Sequence, residues 1–330
     1  MNLLCAPEWE GEARLINAGV NVIRLPIRHR LDFHAVGEVQ NMVREREPDL
    51  IYAPLNRSLS VALMATRKHN CPVIGYRGTT GHLSRFDPAS WLTYFHPRLA
   101  RIVCVSDAVR QYLINKRIPP DKLRTIYKGH RTQWYDFDTC PDLTEFGIPP
   151  DAFVVGFTGN MRPVKGVDVL IRAMAEVDAS LNIHALLVGE VRDKSINRLA
   201  AAPAVASRVH LIGYRKDAAA LSGACNAFAM PSIKREGLPR AVIEAMSQRV
   251  PAIVSNVGGM PELVEDGISG IVVPPANPRA LANAIAALAA DPDRAGRLGN
   301  AARKRIETGF HIDSTIDKIE KLFQQTLNLN

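Results

Sequence analysis

At 330 residues, 47% hydrophobic and 22% charged, the chain has the composition of ordinary globular protein and enough length for two cores of about 150 residues each. It contains no apolar run of about 18 residues and no charged-then-apolar leader, and its five scattered cysteines include no C-x-x-C pair; this argues against a membrane-spanning, disulfide-stapled or zinc-bound protein and for a cytoplasmic one. The formal net charge of +8 suits an anionic membrane surface, a phosphate-bearing acceptor, nucleic acid or simply a soluble basic surface, but no nucleic-acid recognition module is recognisable.

The first half alternates short β-rich runs with helical text. NLLCAP, VNVIRLPI, DLIYAP, VIGYR, RIVCVS and RTIYK read as strands, and AVGEVQNMVREREP and RSLSVALMATRKHN as helices between them. Such alternation predicts a mainly parallel sheet with helices on both faces. Ser106 and Asp107 are placed to cap a helix carrying Val109, Tyr112 and Leu113. After the VIGYR strand the text turns polar and Gly-rich, and Arg77 and His82 fall where a sheet end builds a ligand site. A lone loop histidine is more often structural or merely exposed than substrate-bound.

Between the halves, TQWYDFDTCPDLTEFGIPPDAF has no sustained period and reads as linker. Its Asp136-Phe137-Asp138 triplet imitates a D-x-D metal site but precedes a Pro-rich joint rather than ending a strand, so no metal is assigned.

The second half opens on a strand, Phe153 to Phe157, then a Gly-containing loop and an apolar-faced helix from Val167. Arg162 and Lys165 lie in that loop, and two cations near a helix start are what a diphosphate leaving group needs. Strands HALLVG, RVHLIG, AFAMPS, PAIVS and GIVVP follow. The AFAMPS strand leads through a polar loop to Pro239, which opens a helix expected to be amphipathic. Glu236 precedes this helix and Glu244 sits in its second turn, so both carboxylates can face the crevice at the strand ends. Neither a G-x-G-x-x-G nor a Walker A sequence occurs, which disfavours dinucleotide and NTPase functions.

Glu236 and Glu244, with seven residues between them in EGLPRAVIEAM, resemble the E-x7-E motif of glycosyltransferase family 4; the plain alternative for a lone Glu pair is a cap and a solvated helix acid. GNMRPVKG around Arg162 and Lys165, VGGMPE at 257–262 and EDGISG at 265–270 resemble further text of the same family, over most of residues 20–325. The resemblance implies two facing Rossmann-like domains (an α/β, GT-B fold): 1–145 on the acceptor side, 146–305 on the donor side, and 306–330 returning to the first. It implies a retaining, metal-independent enzyme without cofactor, moving a sugar from a nucleotide-diphosphate sugar to a glycan or lipid-linked acceptor in cell-envelope synthesis, with at most peripheral membrane contact and no nucleic acid. Arg162, Lys165 and Glu236 would be catalytic; Gly159, Gly213, Tyr214, Gly237, Leu238, Pro239 and Glu244 would hold the donor. Arg77 and His82 would lie on the acceptor or sugar side, although Arg77 stands where many members have a histidine. The N-terminus departs from the pattern, because only Glu12 to Gly19 is helix-compatible between two strands. Either the chain starts at the family's second strand, or Met1 to Ala6 is the first strand with Gly11 in a shortened loop. A nucleotide-sugar-binding protein without transfer and a sugar-nucleotide epimerase are the rival functions.

Overall fold

The computed structural model describes residues 1–7 and 11–328. In the N-terminal half, strands β1 (Asn2–Cys5), β2 (Asn21–Arg24), β3 (Ile51–Ala53), β4 (Val73–Arg77), β5 (Leu99–Cys104) and β6 (Leu123–Thr125) alternate with helices. These are α1 (Glu12–Asn17), α2 (Phe33–Arg46), α3 (Asn56–Ala65), α4 (Pro88–Trp91) and α5 (Asp107–Asn115). Capping follows the short polar residues: Asp32 accepts from Ala35 N at 3.1 Å at the head of α2, and Ser106 accepts from Val109 N at 3.3 Å at the head of α5. The segment after β4, read as loop from its polarity, contains α4 because Asp87 supplies a cap and Pro88 the first helical position.

β3, β4, β5 and β6 form one parallel sheet in chain order, while β1 and β2 pair in parallel as a separate ribbon. A strand therefore lies within Met1 to Ala6, and Gly11 caps α1. The ribbon joins the rest through apolar packing: Leu4 and Ile51 both rest on a cluster built from Leu25, Val39 and Val43 with Val61 and Ala65 of α3.

The C-terminal half contains β7 (Phe153–Thr158), α6 (Val167–Glu176), β8 (Ile183–Val188), α7 (Ser195–Ala200), β9 (Val209–Gly213), α8 (Ala218–Gly223), β10 (Ala227–Met230) and α9 (Arg240–Ser247). It continues with β11 (Ala252–Ser255), α10 (Met260–Leu263), β12 (Gly270–Val273), α11 (Pro278–Ala290) and α12 (Pro292–Gly309). Its six strands are parallel in the order β12-β11-β10-β7-β8-β9. The order reverses between β7 and β10, so the loops leaving these two central strands diverge to opposite faces and leave a crevice. Arg162 and Lys165 are on one loop, Glu236 on the other.

The final helix, α13 (Ile312–Leu327), leaves this half and lies on the N-terminal sheet. Leu322 is buried with Ile74, Val103 and Ile126, and the Phe323 ring lies 5.8 Å from Tyr52. The chain thus crosses between the halves twice, and the crossings are hydrogen-bonded to each other: His130 N donates to Phe310 O at 2.8 Å and Ile312 N to His130 O at 3.2 Å. The stretch read as featureless linker holds two 3-10 turns, Thr132–Tyr135 and Leu143–Phe146, the second fixed by Asp142 accepting from Thr144 N. Asp136 is bound by Arg303 through both its oxygens, at 2.6 and 3.0 Å. Among the described residues no helix is long and apolar enough to cross a membrane.

His130, at the crossing, is 3% exposed and accepts or donates at Nδ1 with Tyr135 Oη, 2.7 Å away. Burial, then the charges of Lys128 and Arg240, lowers its pKa to about 4. His184 and His210, stacked with ring nitrogens 2.9 Å apart, are both held below the ordinary histidine value, chiefly by burial. The unfolded chain therefore takes up protons first as pH falls. Stability is fully present above pH about 6.5 and declines toward pH 4, with His130 contributing on the order of 1–3 kcal/mol. Denaturant midpoints measured across that window should fall for the native sequence and flatten in His130→Gln.

Candidate donor site and interdomain cleft

The loop from Gly159 to Gly166 ends in a 3-10 turn, Pro163–Lys165, before α6 begins. Its last residue, Gly166, lies so close to Pro231 that a side chain there would overlap the Pro231 carbonyl. That contact brings the loops after β7 and β10 together, and Lys165 Nζ comes to rest 2.5 Å from Glu236 Oε1. Ser232 Oγ donates to the same oxygen at 2.8 Å. Glu236 is buried, yet both of its partners are polar, which satisfies a charge that would otherwise be costly to bury. Arg162, three residues before Lys165, is exposed at the crevice mouth.

α9 differs from its expected amphipathic form. Every residue from Val242 to Ser247 is buried, leaving Arg240 exposed and Ala241 half-buried. The helix is enclosed because α8, α12 and the Thr132–Tyr135 turn pack on it as well as β10 and β11 of its own sheet. Glu244 is buried on it and accepts from Arg240 Nε at 2.8 Å, one helical turn away. Burial raises the Glu244 pKa above the ordinary carboxylate range, against the opposing pull of Arg240 and Lys128.

The N-terminal half closes directly on these loops. Gly237 backs onto Gly78, and a methyl group at Gly237 would overlap the Gly78 carbonyl oxygen; at Gly258 it would overlap the Glu236 carbonyl oxygen. Thr79 Oγ1 donates to Arg235 O at 2.6 Å, and Arg235 Nη1 donates to His82 Nε2 at 2.7 Å. Arg235 and His82 both have left-handed backbones, φ 67° and 53°, a conformation that non-glycine residues adopt at a cost. Glu262 reaches from α10 to the head of α5, accepting from Asp107 N at 2.8 Å, Ala108 N at 2.7 Å and Tyr127 Oη at 2.9 Å. A carboxylate there complements the positive end of the helix.

Of the residues singled out from sequence, Lys165 and Glu236 are in contact, with Gly237, Leu238 and Pro239 continuing the same buried loop. Gly159 and Gly213 adopt positive φ at the ends of β7 and β9. Tyr214 is 75% exposed beyond β9. Arg77 is buried, with Nε donating to Thr79 O at 2.9 Å, Nη2 donating to Gly81 O, and its guanidinium 4.8 Å from the Tyr94 ring centre. It holds the loop that meets Arg235. His82 sits across the cleft from Glu236, tied to the neighbouring Arg235. Sequence reasoning gave no role to Ser232, Arg235, Arg240 or Glu262. The four-residue intervals from Arg240 to Glu244 and from Ser232 to Glu236 were readable signals for two of them; Arg235 and Glu262 depend on contacts with the N-terminal half.

Residues 3–134 match the family described as Glycosyltransferase Family 4, and residues 142–305 match Glycosyl transferases group 1. The D-inositol 3-phosphate glycosyltransferase of Corynebacterium glutamicum is 28% identical over 222 residues, 63% of this chain and 53% of that protein. The alpha-maltose-1-phosphate synthase of Mycolicibacterium smegmatis is 29% identical over 223 residues, 62% of this chain and 57% of that protein. The chain thus spans about half the length of the curated relatives it matches. Among solved structures, Anabaena HepE in complex with UDP shares the fold at TM-score 0.82 and 23% identity, covering 98% of this chain and 92% of that one.

Replacing Gly237 by Ala, or Glu262 by Ala, should loosen the halves without unfolding either. Loss of the Glu262 bonds removes about 1–3 kcal/mol from the interface. The expected readout is a larger radius of gyration by small-angle scattering, with each half's helical signal kept.

Proposed function

Because the chain belongs to the family-4 glycosyltransferases, with two Rossmann-like domains, we propose that it is a retaining, metal-independent glycosyltransferase drawing on a nucleotide-diphosphate sugar. The single observation that carries this reading is the meeting of the β7 and β10 loops at the point where strand order reverses, with Lys165 2.5 Å from Glu236 and Arg162 beside them. A neighbour in fold was crystallised with UDP, so UDP-sugars are the first donors to try.

In this reading the diphosphate lies against Arg162 and Lys165. The bond between the sugar's anomeric carbon and the phosphate oxygen breaks with its electron pair passing to that oxygen, and the two cations offset the charge that develops. Lys165 is held in the free protein by Glu236, so an arriving diphosphate takes over the ammonium while Glu236, still bound by Ser232, turns to the donor-sugar hydroxyls. Glu244 accepts from the ribose diol, displacing Arg240 from its carboxylate. Main-chain groups of Gly237 and Leu238 line the sugar, those of Gly213 and Tyr214 the base, and Gly159 lets the chain approach the phosphates. The acceptor enters from the side of Arg77 and His82; its hydroxyl oxygen bonds to the anomeric carbon on the face from which the phosphate leaves, and its proton passes to the departing phosphate oxygen. A glycan or lipid-linked acceptor of the cell envelope, reached from the cytoplasm with peripheral membrane contact, fits the basic surface.

Arg162→Ala should lower turnover on the order of 100-fold. Glu244→Ala should abolish the thermal stabilisation given by the preferred donor among UDP-, GDP-, ADP- and dTDP-sugars; at 100 times its dissociation constant that ligand adds about 2.7 kcal/mol. Turnover preserved in Arg162→Ala rejects the leaving-group role, and absence of any stabilisation rejects the donor site. Binding without transfer to any acceptor would favour a nucleotide-sugar binder. The pH profile follows from Glu244. Its raised pKa means that the accepting carboxylate is lost on acidification at a higher pH than the ordinary glutamate value of about 4.3. Donor affinity measured by calorimetry should fall as pH drops through that region, and Glu244→Gln should be weaker but flat.

A further inference from the structure

The loop that follows β4 closes around one side chain of the opposite half. Arg235, on the loop after β10, is met there at three points. Thr79 Oγ1 donates to its carbonyl at 2.6 Å, and its Nη1 donates to His82 Nε2 at 2.7 Å. Gly81 faces its aliphatic stem so closely that an added methyl group would come within 3.0 Å of Cγ. Arg77 fixes the same loop from its own half, through Thr79 O and Gly81 O. Arg235 and His82, the two ends of one hydrogen bond, are both left-handed, and such conformations persist where the surrounding contacts over-determine them.

This clasp bears on Glu236, whose backbone is held from the N-terminal half on both sides. Thr79 holds the carbonyl before it, and Gly78 lies against Gly237 after it. With both neighbours pinned, the direction of the Glu236 carboxylate, and with it the Lys165 ammonium 2.5 Å away, follows the position of the β4 loop. Freeing Arg235 removes one of the two restraints.

The clasp also has a defined protonation state. A guanidinium can only donate, so His82 Nε2 accepts, which makes the ring neutral with its proton on Nδ1. A second proton on the ring sets a donor against a donor and a cation against a cation. The neighbouring groups do not offset this. Lys234 and Glu236 flank Arg235, and Glu236 is already engaged by Lys165 and Ser232. On the other half, Arg77 is committed to carbonyls, Arg85 is stacked over Trp91 and Phe95, and the Tyr112 hydroxyl accepts from Leu83 N at 3.3 Å. Among the described residues no ion pair involves His82 or Arg235.

We propose that Arg235 and His82 are positioning residues that aim Glu236 from across the cleft, and that protonation of His82 releases the pair, so that closure of the loops and turnover fall together on acidification. The effect on turnover rests on the donor reading; the clasp itself stands on the loop contacts alone. It is distinct from the acid dependence of Glu244, which acts on donor affinity, whereas the clasp acts on donor already bound.

The test uses the full chain and three variants. Arg235→Gly removes the side chain and suits the left-handed backbone, so the fold is kept. Arg235→Lys retains a donor, and His82→Gln retains an acceptor of similar reach that does not take up a proton. Hydrogen exchange of segments 78–84 and 233–238, corrected for the intrinsic effect of pH, reads the clasp between about pH 8 and 5. Turnover is read over the same range as nucleotide released at saturating concentrations of the best-bound UDP-, GDP-, ADP- or dTDP-sugar, each protein scaled to its own alkaline value, with donor affinity measured in parallel. In the native protein, exchange of both segments should rise and turnover fall about three- to tenfold on acidification, and in His82→Gln both should stay flat. Arg235→Gly should exchange fast at every pH and lose a similar factor in kcat, with donor affinity at the alkaline end within about twofold of native and partial recovery in Arg235→Lys. Equal exchange in native and Arg235→Gly proteins, or an acid limb retained in His82→Gln, overturns the proposal, as does faster exchange with kcat unchanged. Failure of every nucleotide sugar to bind, while exchange still follows pH through His82, supports the clasp and overturns the donor reading instead.

Discussion

Everything at the centre of this molecule depends on main chain touching main chain across the two halves. Gly237 lies against Gly78 across the boundary, and within the C-terminal half Gly258 lies against the carbonyl of Glu236, at separations that leave no room for a side chain. Because these are backbone contacts, they fix the β10 loop rather than merely bury it, and the loop carries Glu236. Glu262 works on the same boundary from a different direction. Its carboxylate satisfies two amides that α5 cannot satisfy internally, so the N-terminal half completes one of its own helices with a group from the C-terminal half. The geometry of the crevice is in this sense a property of the interface, not of either sheet.

Within that frame, the charges are arranged so that each acid has a basic partner before any ligand arrives. Lys165 is with Glu236 and Arg240 with Glu244. A pair of this kind contributes little net stability, since desolvation offsets attraction, but it holds both groups in position. Replacing one partner by a ligand charge is then an exchange rather than a fresh desolvation. This makes paired sites easier to load than a bare buried carboxylate would be.

Much of this could be read from the residues, for an identifiable reason. In a parallel α/β sheet the strand, the loop and the helix N-terminus are contiguous, so Arg162 with Lys165, and Glu236 with Glu244, announce themselves as loop and first-turn residues after apolar runs. What was hidden is what contiguity does not encode. Glu262 could be seen only as part of a motif, because its partners lie 154 and 155 residues away. α9 shows one polar side per turn in the sequence yet is enclosed all round, since its neighbours α8 and α12 come from elsewhere in the chain. α4 and the 3-10 turns of the joining segment were missed because four residues are too few to display a period; Asp87 marked α4 and Asp142 the turn Leu143–Phe146, while Thr132–Tyr135 has no side-chain cap to mark it.

The paired crossings of the chain have a mechanical consequence. Two covalent connections lying side by side and bonded at His130 to Phe310 and Ile312 behave as a pin with a definite axis, where a single linker would behave as a universal joint. Relative movement of the halves is steered toward rotation about that line, with sliding and twisting resisted by the second connection. α13, bound to the N-terminal sheet, carries the torque. A rotation of a few degrees at the pin is magnified with distance from it, so the same small swing displaces the rim of the cleft far more than the residues beside the joint.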